Sequence, residues 1–321
     1  MSSPSTRLER RRDRLIADAG LAAAFTLWSL NFAVVKVGLD EFEPLAFAFI
    51  RFGLAGSVLL VALRVREGGV GVSRTDLPRL ALIGLLGIAC SQASLVLALD
   101  RTTVVSAAFL SSTGPLAVIL LASVLRVERL GQRHWAAVFV GLAGAALVVG
   151  AVGPGQGAGS DPLGDVLVFA YVVSSSAPAV LYPRLLARYS VLRVLTYEVL
   201  LGTAILLPLA LPSVVAQASG RVTLVGIEAI LYAALCTGVV ANLLYFGAVD
   251  RVGPSLATLF QYLQSFMAAI FGVLLLGEKL SPVQILGGVV ILSSVVLSRS
   301  GPSPGARQPA GSRLRSGVSE G

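Results

Sequence analysis

Ala98-Leu99-Asp100-Arg101 recurs as Ala248-Val249-Asp250-Arg251, and Arg126-Val127-Glu128-Arg129-Leu130 recurs as Leu276-Gly277-Glu278-Lys279-Leu280, both at a displacement of 150 residues with no gap. Between these anchors each copy carries an apolar run long enough to cross a bilayer, so each reads as a repeat made of membrane-spanning helices. Working outward, each half holds five such runs. Because five is odd, the second copy must enter the membrane from the opposite side, and inverted repeats of this kind are a signature of alternating-access carriers. The expectation is an all-α integral membrane protein with ten transmembrane helices as two inverted five-helix repeats, and a role in transport.

Composition agrees. The 321 residues are 55% hydrophobic and 13% charged, with a mean hydropathy of +0.85, far too apolar for a soluble domain. The apolar blocks cover residues 17–37, 45–63, 77–99, 102–125, 134–152, 163–183, 191–211, 222–249, 253–276 and 281–298. Each is close to the roughly 20 residues a spanning helix needs. Residues 1–16 form a basic N-terminus, 17–152 the first repeat, 153–162 a Gly-rich linker, 163–298 the second repeat, and 299–321 a Ser/Pro/Gly/Arg tail expected to be disordered.

Orientation follows from the cations in the connections, since Arg and Lys are retained on the cytoplasmic side. Five arginines precede the first block, from Arg7 to Arg14, and further ones follow the second (Arg64, Arg66, Arg74, Arg79), fourth (Arg126, Arg129, Arg133) and sixth (Arg184, Arg188, Arg193). The alternate connections hold only Arg101, Arg221 and Lys279, beside the acidic Asp40-Glu41 and Glu43. Both termini are thus expected in the cytoplasm of a multi-pass cell-membrane protein, with 153–162 on the outer face. The net charge of +8 reports topology and contact with anionic lipid, not nucleic-acid binding, because the cations are scattered and form no single stripe. No cleaved signal is expected, since no small-residue cleavage site ends the first block before Lys36.

Several chemistries are excluded. The one histidine, His134, cannot form a zinc cluster or a Ser-His relay. Cys90 and Cys236 lie within blocks and read as packing material, and no phosphate-binding loop of the Gly-x-x-x-x-Gly-Lys-Ser/Thr kind is present. Asp100, Asp161, Asp165 and Asp250 all fall at block ends, which argues against an intramembrane aspartyl protease. Neither an enzyme nor a bound cofactor or metal is expected.

Ionisable groups inside the hydrocarbon are costly and mark candidate functional sites. Three qualify: Lys36, Arg51 and Glu198. Counting at about 1.5 Å per residue puts Arg51 roughly 10 Å in from Pro44, and Glu198 at a similar depth from Ser190 on the other side. Aligning Gly56-Ser57 with Gly202-Thr203 sets Arg51-Phe52 opposite Tyr197-Glu198, so the two charges hold near-equivalent places in the two copies. Lys36 and Arg51 have a competing reading as snorkelling side chains. Glu198, with its short stem, is a candidate proton carrier, whereas a partner such as Arg51 would hold it ionised; the residues alone leave both roles open.

Uncharged polar residues form a second group. Trp28, Ser29 and Asn31 lie in the first block, Gln92 in the third is matched by Asn242 in the eighth at the same displacement of 150, and Thr258, Gln261, Gln264 and Ser265 recur at helical spacing in the ninth. Amides donate and accept, which suits a zwitterionic solute, though any single one serves equally as interhelical glue. Pro115 and Pro178 interrupt the fourth and sixth blocks and free carbonyls one turn upstream, making them candidate hinges. Gly84, Gly87, Gly141, Gly144, Gly287 and Gly288 read as points of close helix approach.

Trp28-Ser29-Leu30-Asn31-Phe32 with Lys36, Arg51-Phe52, Pro115, and the closing Glu128 and Glu278, in this order within two copies, resemble the EamA-type transporters of the drug/metabolite transporter superfamily from residue 17 to residue 298. The resemblance implies a ten-helix bundle around a central cavity, with the fifth and tenth helices peripheral, that moves small metabolites and often exports amino acids or toxic organic compounds. It places Trp28, Asn31, Arg51, Gln92 and Asn242 near the cavity. Ser29, where the family commonly has Gly, and Ser265, where a proline is expected opposite Pro115, depart from the pattern.

Three readings stand on this basis. The first is an exporter of amino-acid-like solutes, with Trp28, Asn31, Arg51, Gln92, Glu198, Asn242, Gln261 and Gln264 as candidate cavity residues and protons as a candidate coupling ion. The second is an exporter of hydrophobic organic cations held by aromatic rings and Glu198. The third, from another class, is a channel or membrane scaffold. The expected partners are a small-molecule substrate and lipid, with the oligomeric state open.

Overall fold

A computed structural model describes residues 4–125, 131–150, 161–218, 220, 222–252 and 254–299; side chains of 4–14, 122, 249–262, 295, 298 and 299 are outside the description. Every regular element among these residues is helical. Eight helices are long and apolar enough to cross a membrane, in chain order Leu15–Leu39, Pro44–Glu67, Leu77–Arg101, Val104–Leu121, Gln132–Gly150, Pro162–Leu186, Val191–Gln217 and Leu224–Ala248. A ninth and tenth, Pro254–Leu276 and Pro282–Arg299, contain the apolar stretches Leu263–Leu276 and Pro282–Ser294. The chain is a multi-pass membrane protein. Large apolar side chains such as Val65, Phe139, Leu209 and Leu274 face outward, which in lipid carries no penalty.

The helices start and stop where local chemistry dictates. Thr103, Asp161 and Ser190 are N-caps whose side-chain oxygens accept from the amides of Ser106, Leu163 and Arg193. Pro44 and Pro162 stand in first turns, where a missing N–H costs nothing. Gly68 and Gly277, both at φ 66°, end the second and ninth helices in the left-handed conformation that only glycine adopts without strain. The first helix runs from Pro4 to Leu39 (36 residues), so the basic N-terminal segment continues the same helix instead of preceding it; Leu, Glu and Arg are good helix formers.

Two pairs of helices are irregular. The fourth is broken into Val104–Ser111 and Gly114–Val124, and the sixth into Pro162–Ser176 and Pro178–Leu186, each at the expected proline. The breaks face one another, since Ser176 Oγ donates to the Gly114 carbonyl at 3.3 Å. The third and eighth helices each contain a π-helical stretch, Leu85–Cys90 and Tyr232–Ala241. Such widened turns misalign backbone bonds and recur at functional sites.

Two pairs of counterpart helices, one from each half, run antiparallel. In the fifth and tenth, Arg133 meets Leu297, Gly141 meets Ser294, and Gly144 and Val148 meet Gly287. In the second and seventh, Glu43 meets Gln217, Gly56 meets Val199, Leu59 meets Thr196 and Glu67 meets Ser190. Gly84 and Gly202 let the third and seventh helices touch backbone to backbone: a Cβ on Gly202 would lie 2.5 Å from the Gly84 carbonyl oxygen, and one on Gly84 2.7 Å from the Gly202 nitrogen.

The two ends of the bundle differ in charge. At one end, buried Asp76 collects Arg188 at 3.0 Å, Arg79 at 3.1 Å and the Tyr189 hydroxyl at 3.0 Å, while Arg193 meets Glu67 at 2.7 Å. The Tyr189 hydrogen bond and the two guanidinium groups hold the Asp76 carboxyl below its ordinary value. At the other end, Glu41 accepts from the Thr223 amide at 2.8 Å and from its hydroxyl at 2.5 Å, bonds that likewise lower its carboxyl. There too, Glu278 accepts from the amides of Val104 and Val105 at 2.7 and 2.9 Å.

Candidate functional site

A cavity of about 340 Å³ lies where the first, second, third, sixth, seventh, eighth and ninth helices converge. Trp28, Asn31, Arg51, Gln92, Glu198, Asn242 and Gln264 line it, seven of the eight residues singled out from sequence. The side chain of Gln261 lies outside the description. The hinge candidate Pro178 is in the same wall, and Pro115 lines a second, adjoining space.

Arg51 and Glu198 are the charged residues of this lining, 1% and 4% exposed. They make no ion pair with each other among the described residues. Arg51 donates from one terminal nitrogen to Gln92 Oε1 at 2.5 Å, and its guanidinium sits 4.6 Å from the Phe52 ring centroid and 5.6 Å from that of Phe47. Its Nε is buried with no hydrogen-bond partner among the described residues. A cation so placed is oriented by aromatic faces and retains a donor for an anion. The sequence left a partnership with Glu198 open; the Gln92 amide on the third helix takes that place.

Glu198 instead accepts from the Tyr182 hydroxyl, which lies 2.9 and 2.7 Å from its two carboxylate oxygens. Its carboxylate is seated against the backbone of Gly87, where a Cβ would collide with Oε1 and would come 3.1 Å from Pro178. Gly87 therefore does more than permit helix approach. It makes room for a charged group beside a proline break.

The amides from the two halves are used differently. Asn242 donates to the carbonyls of Thr237 and Gly238 at 3.0 and 3.2 Å, satisfying the widened turn of the eighth helix. Thr237 donates to Asn31 Oδ1 at 3.2 Å, and Ser29 donates to the Gln264 carbonyl at 3.0 Å, tying the first helix to the eighth and ninth. Trp28 belongs to an aromatic chain: Phe25–Trp28 at 5.3 Å, Trp28–Tyr245 at 5.4 Å, Tyr245–Phe246 at 5.3 Å and Phe246–Tyr182 at 6.0 Å between centroids.

Lys36 is not in this wall. Its ammonium donates to the carbonyls of Leu99 and, at 2.9 Å, Thr102, at the C-terminal end of the third helix. There the ammonium meets the negative end of a helix dipole.

Sequence reasoning missed Tyr171, Tyr182, Tyr245 and Thr237, all in the lining. A signal existed for one of them, since Thr237 stands 150 residues after Gly87 and both lie in the widened turns.

The EamA-like transporter family matches this chain twice, at residues 15–150 and 162–300. An uncharacterized transporter of Archaeoglobus fulgidus is 28% identical over 87% of this chain and 95% of its own length. The probable terminal-alkyne amino-acid exporter of Streptantibioticus cattleyicolor is 29% identical over 86% and 91%. The uncharacterized inner membrane transporter YedA of Escherichia coli is 27% identical over 90% and 92%. A crystal structure superposes with a TM-score of 0.58 at 20% identity, covering 90% of this chain and 96% of that one, a likeness of fold alone. With the family spanning both halves, and a polar cavity inside a helical membrane bundle, the chain belongs to the EamA-like transporters of the drug/metabolite transporter superfamily, membrane proteins that move small solutes and carry out no enzymatic chemistry.

Proposed function

We propose that the protein is an alternating-access exporter of amino-acid-like solutes, with ten spans in two inverted five-helix halves and both termini cytoplasmic. The observation that carries this reading is the pairing, in one cavity, of a buried guanidinium with a free Nε and a buried carboxyl that do not neutralise each other. A zwitterion supplies the complement of both: its carboxylate suits Arg51, and its ammonium suits Glu198 and the rings of Trp28 and Tyr245. A cavity of about 340 Å³ is at the small end of ligand sites, about 300–1,000 Å³, and fits a metabolite-sized solute.

Inversion draws support from contacts that come in exchanged pairs. The first helix packs on the eighth and ninth as the sixth packs on the third and fourth, while the second and seventh, and the fifth and tenth, pair with their own counterparts. Glu278 sits at the start of the fourth helix, whereas Glu128, its match outside the described residues, follows that helix's end. The arginine-rich connections at the Asp76 end support a cytoplasmic location for that end. Export is favoured by the Streptantibioticus relative, whose name describes an amino-acid exporter.

The test is counterflow of a broad amino-acid panel in proteoliposomes, alongside comparative metabolomics of cells with and without the protein. The reading expects accelerated exchange of at least some amino acids, lost in Arg51→Ala. Absence of exchange for the whole panel contradicts it. Extrusion of hydrophobic cations is a second reading, favoured by the aromatic chain that ends on Tyr182 beside Glu198. Cation resistance lost in Glu198→Gln, with no amino-acid exchange, would select it. Proton coupling through Glu198 belongs to either reading and requires that a pH gradient drive solute flux.

A further inference from the structure

A second space of about 500 Å³ adjoins the first and shares part of its wall, namely Phe32, Tyr171, Ser175, Tyr182, Tyr245 and Gln264. It exists because two helices are broken beside it: the fourth at Ser112-Thr113 before Pro115, and the sixth at Ala177 before Pro178. The backbone polarity released there is met locally. Ser112 and Thr113 donate to the carbonyls of Phe109 and Leu110 at 2.5 and 2.7 Å, Ser111 donates to Ala107 at 2.6 Å, and Ser176 bridges to Gly114. With those groups satisfied, the space offers a solute mainly carbon: Ala108, Val118, Ile119, Ala179 and Phe246, with no charged residue among the described residues of its lining.

The two spaces thus divide the chemistry. Both charges are in the first, and the larger, uncharged one is reached past tyrosine rings common to both. A small polar amino acid would leave the second space empty or wet, and an apolar wall gains nothing from water. A solute with a charged head and an apolar side chain fills both.

We infer that the second space is the side-chain subsite of the transporter, and that it selects amino acids with bulky apolar side chains over small ones. The inference rests on the amino-acid reading above and adds the part of the substrate that sets preference. Serine hydroxyls at 111, 175 and 176 point to a pocket that tolerates an aromatic ring's edge as well as an aliphatic chain.

The experiment is counterflow in proteoliposomes with labelled alanine, leucine and phenylalanine, comparing the unaltered protein with Val118→Trp, which fills the pocket, and Ser111→Leu, a milder filling. The readout is the ratio of phenylalanine to alanine exchange within each preparation, which cancels losses of folded protein. The inference expects a preference for leucine and phenylalanine over alanine in the unaltered protein, and a fall in that ratio of about tenfold or more on filling, the size of effect that shape changes in apolar pockets produce. A ratio that does not move, or equal losses for all three solutes as from a blocked common passage, overturns it while leaving the amino-acid reading intact if alanine is carried. Exchange of none of the three, or of any other amino acid, overturns both.

Discussion

The hydroxyl of Tyr182 bonds both carboxylate oxygens of Glu198 at 2.9 and 2.7 Å, while Arg51, in the same cavity, is turned to Gln92. Each buried charge therefore has an uncharged partner that a solute can supplement or displace. An Arg51–Glu198 ion pair would have satisfied both groups and left a solute little to compete for.

Substitution at Arg51 separates charge from geometry. Arg51→Lys keeps the cation but loses the planar fork and the stacking on Phe52, so weaker solute binding of about tenfold is expected with the protein still folded. Arg51→Ala is expected to abolish exchange. Solute titration of counterflow rates, with thermal melting in detergent as the folding control, checks both.

Glu198→Gln retains the hydrogen bond from Tyr182 but cannot change its proton content. If Glu198 carries the coupled proton, flux in this variant becomes insensitive to an imposed pH gradient, whereas Tyr182→Phe remains sensitive over a shifted pH range. Solute flux measured against imposed gradients distinguishes the two.

The Asp76 cluster gives a pH effect of definite sign. Because its partners hold the folded carboxyl below the ordinary aspartate value of 3.8, the stabilisation is complete at neutral pH, and acidification through and below that value removes it. Melting curves over an acid series should show a loss of stability that is smaller in Asp76→Asn, which cannot titrate. Equal acid sensitivity of the two proteins would remove Asp76 as a cause.

Gly202→Val places a Cβ 2.5 Å from the Gly84 carbonyl oxygen, a backbone atom that can yield only if the third and seventh helices separate. A loss of about 1–3 kcal/mol is expected from such overpacking. Gly53→Ala, where a Cβ meets nothing within 4 Å, serves as the control expected to lose no stability in the same melting assay.

Much of this organisation was legible because spanning helices impose one period and the repeat supplies an internal comparison. Gln92 and Asn242 were found by their shared displacement, and Pro115 and Pro178 marked the two real breaks. Arg51 and Glu198 stood out because charge in hydrocarbon is rare. The widened turns at Leu85–Cys90 and Tyr232–Ala241 were not legible, since an extra residue in a turn leaves no mark on a uniformly apolar run. The tyrosines of the lining were missed because a ring in an apolar helix faces lipid or cavity according to packing that spacing does not fix. The partners of Lys36 were not legible for a related reason: they are carbonyls of the third helix, remote in sequence. Asp76 and Arg188 meet across the two halves, a contact set by how loops dock.

The claim beneath all of this is that the two halves cross the membrane in opposite senses. With Cys90 and Cys236 replaced by Ser, single cysteines introduced as Glu128→Cys and Lys279→Cys can be labelled in intact cells with a membrane-impermeant maleimide. The account expects reaction at position 279 from outside and at position 128 only after the membrane is opened. Labelling of both positions from the same side would contradict it.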